Sequence, residues 1–202
     1  MITGSAWGGV LALGEMADPA KRRATYEDVL AAPEHLVAEL IFGELVTHPR
    51  PAVRHANVSS NLGGELYGPF RKGKGGPGGW IILDEPELHL HGEVLVPDLA
   101  GWRRERVPEL PDGVAVEIVP DWVCEVLSPA TAAIDRTDKM AIYAREQVRH
   151  VWLVDPILCT LEGFRLLSGK TYEELGAWRG DAGVRAEPFD AIELELSALW
   201  EK

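Results

Sequence analysis

Residues 121–155 constrain the fold more than any other part of the chain. DWVCEVLS is an apolar, β-branched run that Ser128-Pro129 brings to an end. AAIDRTDKMAIYAREQ then spaces Ile134, Met140 or Ala141, and Ala144 as a helix would, and HVWLVDP is a second buried-strand run. Strand, helix and strand in that order make a crossover between parallel strands of one sheet, and such crossovers are right-handed almost without exception. The chain therefore reads as α/β with a mixed β-sheet flanked by helices.

The remaining segments fit around that unit. Thr25 followed by YEDVLAAP has an N-cap residue, acids in the first turn and a proline stop, the marks of a short helix. AELIFGELVTHP sets two apolar segments either side of Phe42-Gly43, a β-hairpin ended by Pro49 and Pro51. From Arg54 to Phe70 the apolar positions Val58, Leu62, Leu66 and Phe70 recur every four residues, so a helix is expected there although Gly63 and Gly64 weaken it. RKGKGGPGG, residues 71–79, is a loop. WIILDEPELHLHGEVLVPDLAGW supplies successive strands with turns at Asp84 to Pro86 and at Gly92. Short strands and turns fill Ile157 to Leu196, and SALW closes with a fragment of helix. Residues 1–24 read as a loosely ordered leader, with Met16 a possible alternative start, and 25–202 as one domain.

Charge and cysteine usage narrow the function. With 20 Lys and Arg against 32 Asp and Glu the formal net charge is -12, which works against loose, charge-driven attachment to nucleic acid. The two cysteines, Cys124 and Cys159, stand in apolar runs that read as buried strands, which argues against a disulfide framework or a zinc site. No run approaches the ~20 apolar residues of a membrane span, and VLAL at residues 10–13 is too short for a signal-peptide core. A cytoplasmic protein is expected.

Within this frame Glu125 stands out. It interrupts Trp122, Val123, Cys124, Val126 and Leu127, where an ionised carboxylate is costly unless it faces solvent or meets a cation. Asp98 follows a proline at the end of another apolar strand. Two acids on adjacent strand ends make a half-shell for Mg²⁺, although Pro-Asp at a strand end is also ordinary turn chemistry. The period of two sends Leu127 to the same side as Glu125, where a nuclease of the PD-(D/E)XK kind carries a lysine. Lys139, on the following helix, can return its long side chain to that strand end. Asp135 and Lys139 are four apart, which by itself is the spacing of a surface ion pair.

The segments AELIFGELVTHPRP, His55 with its following helix, VLVPDLAGW, EVLSPATAAIDRTDKMAIYAREQVRHVWLVDP and the late strands together resemble the Uma-two family of restriction-endonuclease-like proteins, over residue 25 to the C-terminus. The most distinctive part is EVLSP, then Asp135, Lys139, Tyr143 and WLVDP. This resemblance implies a restriction-endonuclease-like core, with Asp98 and Glu125 as ligands of Mg²⁺ or Mn²⁺ and Lys139 as the lysine displaced onto the helix. It adds Glu39 of the early hairpin as a further site carboxylate, and DNA as substrate. The chain departs from the family pattern in QVRHVW, which stands where a glycine-bearing turn is expected, and in PDLAGW, which is less apolar after the aspartate.

Other polar residues have ordinary readings beside functional ones. His55 at a helix start is expected to be exposed, or to contact phosphate or Glu39. His89 and His91 share one strand face with no third ligand, so a solvated edge is expected. Tyr143 is expected to pack its ring against the sheet, and Asp155 to end a strand at a turn. Arg50, Arg54, Arg71, Lys72 and Lys74, with Arg103, Arg104 and Arg106, form either a phosphate-tracking rim or a mixed solvated surface. The combined expectation is a metal-dependent endonuclease. Its alternatives are a non-catalytic binding module of the same fold and an enzyme acting on RNA. A homodimer is expected from the apolar strands near the C-terminus.

Overall fold

The computed structural model describes residues 22–201. The expected short helix, α1 (Tyr26–Leu30), carries a capping box between Thr25 and Asp28 and leads into the hairpin β1 (Leu36–Ile41) and β2 (Glu44–Pro49). The hairpin turn is Phe42-Gly43, with φ of 53° and 79°. A two-residue turn of this kind needs positive φ at both positions, so its twist matches the strands, and only the glycine adopts it without strain.

Helix α2 (Val53–Leu66) begins one residue before the expected start and runs on through a π-helical turn, Tyr67–Arg71. Gly63 is where α2 meets the sheet closely: a Cβ there would lie 3.3 Å from Asp84 Oδ1 and 3.6 Å from Leu99 Cδ2. Its cost in helix propensity is the cost of that close approach.

Strands β3 (Trp80–Asp84), β4 (Leu88–Leu90), β5 (Glu93–Leu95), β6 (Leu99–Arg103) and β7 (Trp122–Val126) follow. The helical segment after β7 is α3 (Ala132–Ile134), a π-helical turn Asp135–Lys139, and α4 (Met140–Arg145). Strands β8 (His150–Asp155), β9 (Thr160–Leu166), β10 (Tyr172–Arg179), β11 (Gly183–Val184) and β12 (Leu194–Glu195) precede the terminal turn α5 (Ser197–Trp200).

The main sheet has the order β10-β9-β8-β7-β6-β3. Strands β7 and β8 pair in parallel, as the crossover predicts, and its other pairings are antiparallel, so the sheet is mixed. A smaller sheet, β2-β1-β5-β4, contains the hairpin. Alternation along β7 divides the core in two. Trp122, Cys124 and Val126 join Val58, Leu62, Leu66 and Phe70 on the α2 face. Val123 and Leu127 join Ile142, Tyr143 and the apolar residues of β4 and β5 on the α4 face. Glu125 alternates with the latter pair and faces α4.

Two expectations are corrected. Cys159 lies outside any strand, in the turn between β8 and β9 with φ 52°, and is only partly buried; both cysteines are free. His91 does not share a strand face with His89. It occupies the turn before Gly92, with φ 46°, because the chain reverses there between β4 and β5. Of the basic residues after β6, Arg103 lies 4.6 Å over the Trp80 ring and Arg106 meets Asp121 at 3.0 Å.

Asp155 closes β8 as expected, accepting hydrogen bonds from the backbone N–H of Ile157 and Leu158 at 2.8 and 2.9 Å. Of the leader, residues 1–21 lie outside the described residues, whereas the Ala24 N–H donates to the Gly43 carbonyl at 2.8 Å. Among the described residues no helix is long and apolar enough to cross a membrane.

Candidate active site

The register of the main sheet aligns the two acids read from the sequence. In the antiparallel β6–β7 pair, Leu99 faces Cys124 and Ala100 faces Val123. Carried one pair further, that register sets Asp98 opposite Glu125 on the α4 face, the separation at which cross-strand side chains meet. Asp98 is anchored there: its Oδ2 accepts from the Val126 N–H at 2.7 Å, and its Oδ1 lies 3.3 Å from His55 Nε2.

The π-helical turn delivers the cation. Lys139 Nζ stands 2.9 Å from Glu39 Oε1, 3.4 Å from Glu125 Oε1 and 3.3 Å from Asp135 Oδ1. Glu39, Glu125, Asp135 and Lys139 are 1–2 % exposed and Asp98 is 9 % exposed. The Asp135–Lys139 pair is thus no surface ion pair, because the π turn directs both side chains inward beside the sheet. The helix does return a lysine to the strand end, and it brings its own carboxylate with it.

A shell of hydrogen bonds fixes this cluster. Glu39 Oε1 accepts from the Val96 N–H at 2.8 Å, and its Oε2 meets His48 Nε2 at 3.3 Å. The Tyr143 hydroxyl donates to Glu125 Oε1 at 2.5 Å. Ring packing alone, the expectation for Tyr143, leaves out its hydroxyl, which a buried tyrosine must satisfy. His55 is mostly buried and is matched to Asp98, not to Glu39 or to solvent, because α2 starts directly above the end of β6. His89 and His91 meet Glu87 and Glu146 away from the cluster.

The electrostatics follow from counting charges in a dry place. Burial pushes the Glu125 carboxyl well up, Lys139 opposes this, and the charges of Asp135, Asp98 and Glu39 add to the rise. Burial likewise raises Asp135 against the pull of Lys139. Burial disfavours the Lys139 ammonium, yet Glu125, Glu39 and Asp135 outweigh it and hold the lysine firmly protonated. Burial would raise Glu39 too, but Lys139, His48 and the Val96 amide keep it below the usual range. The Glu39 bond raises His48, and Asp98 raises His55 against burial.

Asp98, Glu125, Asp135, Lys139, His48 and His55 line a cleft of ≈ 270 Å³ that also includes Arg50, Ser128 and Thr131, with Glu39 behind Lys139. Mg²⁺ is bound through one or two carboxylates, with water and phosphate oxygens completing its shell. Asp98 and Glu125 both line that cleft and are hard oxygen donors of the kind such a partial shell uses. Among the described residues no group of three or more His, Cys, Asp or Glu stands ready as a complete ligand set.

A family model described as "Putative restriction endonuclease", Uma2, matches residues 24–198. The chain belongs to the Uma2 family. The match covers every element from α1 to β12, reaches into α5, and includes the hairpin acid, both strand acids and the helix lysine. For this Uma2 chain the solved structures agree on the fold. A putative nuclease belonging to DUF820 from Anabaena variabilis ATCC 29413 superposes with a TM-score of 0.69 at 22 % identity, covering 88 % of this chain and 97 % of that one. No curated protein matches.

Sequence reasoning missed His48 and undervalued Asp135. The hairpin register could have found the histidine: Glu39 faces Val46, so His48 lies two residues along on the same face, within diagonal reach.

Proposed function

We propose that this chain is a metal-dependent nuclease hydrolysing DNA phosphodiester bonds, with Asp98 and Glu125 holding Mg²⁺ or Mn²⁺ and with Lys139 and Glu39 completing the catalytic set. The observation that carries the reading is the convergence of Lys139 with Glu39, Glu125 and Asp135 beside Asp98 in one cleft. Membership in a family described as restriction endonucleases supports it.

A divalent cation bound by the two acids would supply Lewis-acid polarisation of the phosphate and a water of lowered pKa. The chain's own groups do the rest. Lys139 is held protonated, so it serves as a donor that stabilises charge growing on phosphate oxygen and not as the base that deprotonates water. Glu39 fixes the lysine while His55 fixes Asp98. Water attacks phosphorus in line and gives a proton to solvent as the bond to the leaving oxygen breaks, and that oxygen takes a proton from solvent.

Calorimetric titration with Mn²⁺ and cleavage of DNA and RNA side by side test this reading. Wild type should bind metal and cut DNA, and Glu125→Gln and Asp98→Asn should do neither while melting as folded proteins. Full cleavage by either variant would overturn the assignment.

The rival reading, a binding module of the same fold, draws on one observation: the Lys139 ammonium already has three carboxylate partners. Metal binding without cleavage of any nucleic acid would favour it. A homodimer and a cytoplasmic setting belong to the same proposal. The charged outer strand β10, with Glu173, Glu174 and Arg179, makes sheet-edge pairing a poor dimer contact. Exposed Val53, Ile157 and Leu158 supply apolar surface instead, and light scattering after size exclusion decides the mass.

A further inference from the structure

The reactive groups of this cleft are recessed, and a second cavity leads away from them. A groove of ≈ 680 Å³ runs along α2 past Ser59, Ser60, Gly64 and Tyr67 to Arg71, and shares Pro51, His55, Glu85 and Asp98 with the acid-lined cleft. We propose that this groove seats a single, unpaired nucleic-acid strand and feeds one of its phosphodiesters down to Asp98, Glu125 and Lys139, so that the substrate is a single-stranded end, flap or loop and not an intact duplex. The inference rests on the nuclease reading for the cutting step, and on the groove alone for the binding step.

Three observations carry it. First, depth: the lysine and the acids beside it are 1–9 % exposed, so a phosphate must descend into a cleft of ≈ 270 Å³. A lone strand is slimmer and more pliable than a stacked duplex and makes that descent with less distortion. Second, charge: a duplex is gripped by many Lys and Arg contacts, and here the net charge is -12 while Arg103 and Arg106 are engaged with Trp80 and Asp121. Third, the groove wall presents what unpaired strands use, an exposed aromatic ring beside a cation, although Asp84, Glu85 and Asp98 line it too. Tyr67 is 37 % exposed, with Arg71 of the groove wall and Lys72 just outside it at 5.1 and 4.9 Å from its ring centroid. Arg71 is pinned in place by its bond to the Ile82 carbonyl at 2.7 Å, and Tyr67 and Arg71 belong to the π-helical turn that ends α2.

Gly64 gives a clean test because a Cβ built there meets nothing within 4 Å. A side chain at this position, on the groove's wall, has open space around it and improves the helix. Binding of a short fluorescein-labelled single strand to the full chain is measured by anisotropy without divalent metal, for wild type, Gly64→Lys and Gly64→Glu. The lysine variant should tighten and the glutamate variant weaken binding, each about three- to tenfold at low salt. The lysine variant should also steepen the log–log salt dependence by about 0.7, one added phosphate contact.

With Mn²⁺, wild type should cut the single strand and a flapped duplex at least about tenfold faster than the blunt duplex, the factor that separates two substrates by one contact's worth of binding. Equal affinity of the two Gly64 variants, or a blunt duplex cut as fast as the single strand, overturns the groove. Opposite shifts in binding with no cutting of any strand uphold the groove and overturn the nuclease reading.

Discussion

Replacing Lys139 with methionine removes one charge from the buried cluster while keeping most of the hydrocarbon. Three carboxylates lose the ammonium standing 2.9–3.4 Å away. Breaking a buried ion pair from one side costs roughly 3–5 kcal/mol, and for a chain of this size each kcal/mol lowers Tm by about 2–4 °C, so a fall of about 6–20 °C is expected at neutral pH. The loss must depend on pH. Burial and neighbouring acids already raise Glu125 and Asp135. Without Lys139 they rise further, so between their unfolded and folded values the folded state binds more protons than the unfolded one. Stability of the variant is then fully present below the ordinary carboxylate range and is lost as pH rises through the elevated folded values. Thermal melts by circular dichroism from pH 5 to 8 should show the deficit widening towards pH 8. A variant melting within about 2 °C of wild type over that whole range would refute the reasoning, since effects that small are within ordinary surface-substitution noise.

Tyr143→Phe keeps the ring in the core but strips Glu125 of its 2.5 Å hydrogen bond, so urea unfolding should show a loss of about 1–3 kcal/mol; an unchanged midpoint would mean the bond contributes nothing. Gln147→Gly should raise the urea midpoint by the equivalent of about 0.5 kcal/mol, because Gln147 holds φ 67° where glycine is unstrained, less the value of its side-chain bond to the Ala144 carbonyl; a lowered midpoint would count against the strain. His150 is held below its usual pKa of 6.5 by burial, against the pull of Glu187. Its contribution is present above that value and is lost as pH falls through the window below it, so His150→Gln should flatten the acid side of the Tm–pH curve relative to wild type; parallel curves would exclude the linkage.

Much of this arrangement was legible in the sequence, and the reasons differ from element to element. The crossover from Trp122 to Asp155 and the hairpin about Phe42-Gly43 declare themselves through local period and turn chemistry, which depend on neighbours in the chain. Asp98, Glu125 and Lys139 do meet at one cleft, with Glu39 bound to the lysine, because strand alternation and helix return are also local geometry. Partnerships across elements were not legible. That His55 serves Asp98 and that Tyr143 bonds Glu125 depend on how α2 and α4 dock, and no periodicity reports docking. The π-helical turn was equally hidden, since DRTDKM has nothing in its composition that separates a wide turn from an ordinary one.

That wide turn has a bearing on how the chain tolerates change. An α-helix advances about 100° per residue, and a π turn holds one residue more than an α turn before the helix resumes. Losing a single residue between Asp135 and Lys139 would therefore let this stretch close to an ordinary α turn with its flanks still in phase, whereas losing one from the regular helix after it would rotate the residues beyond by roughly 100° against the ammonium. The wide turn is thus the place in this helical segment that can give up a residue and keep its chemical face and its packing face aligned.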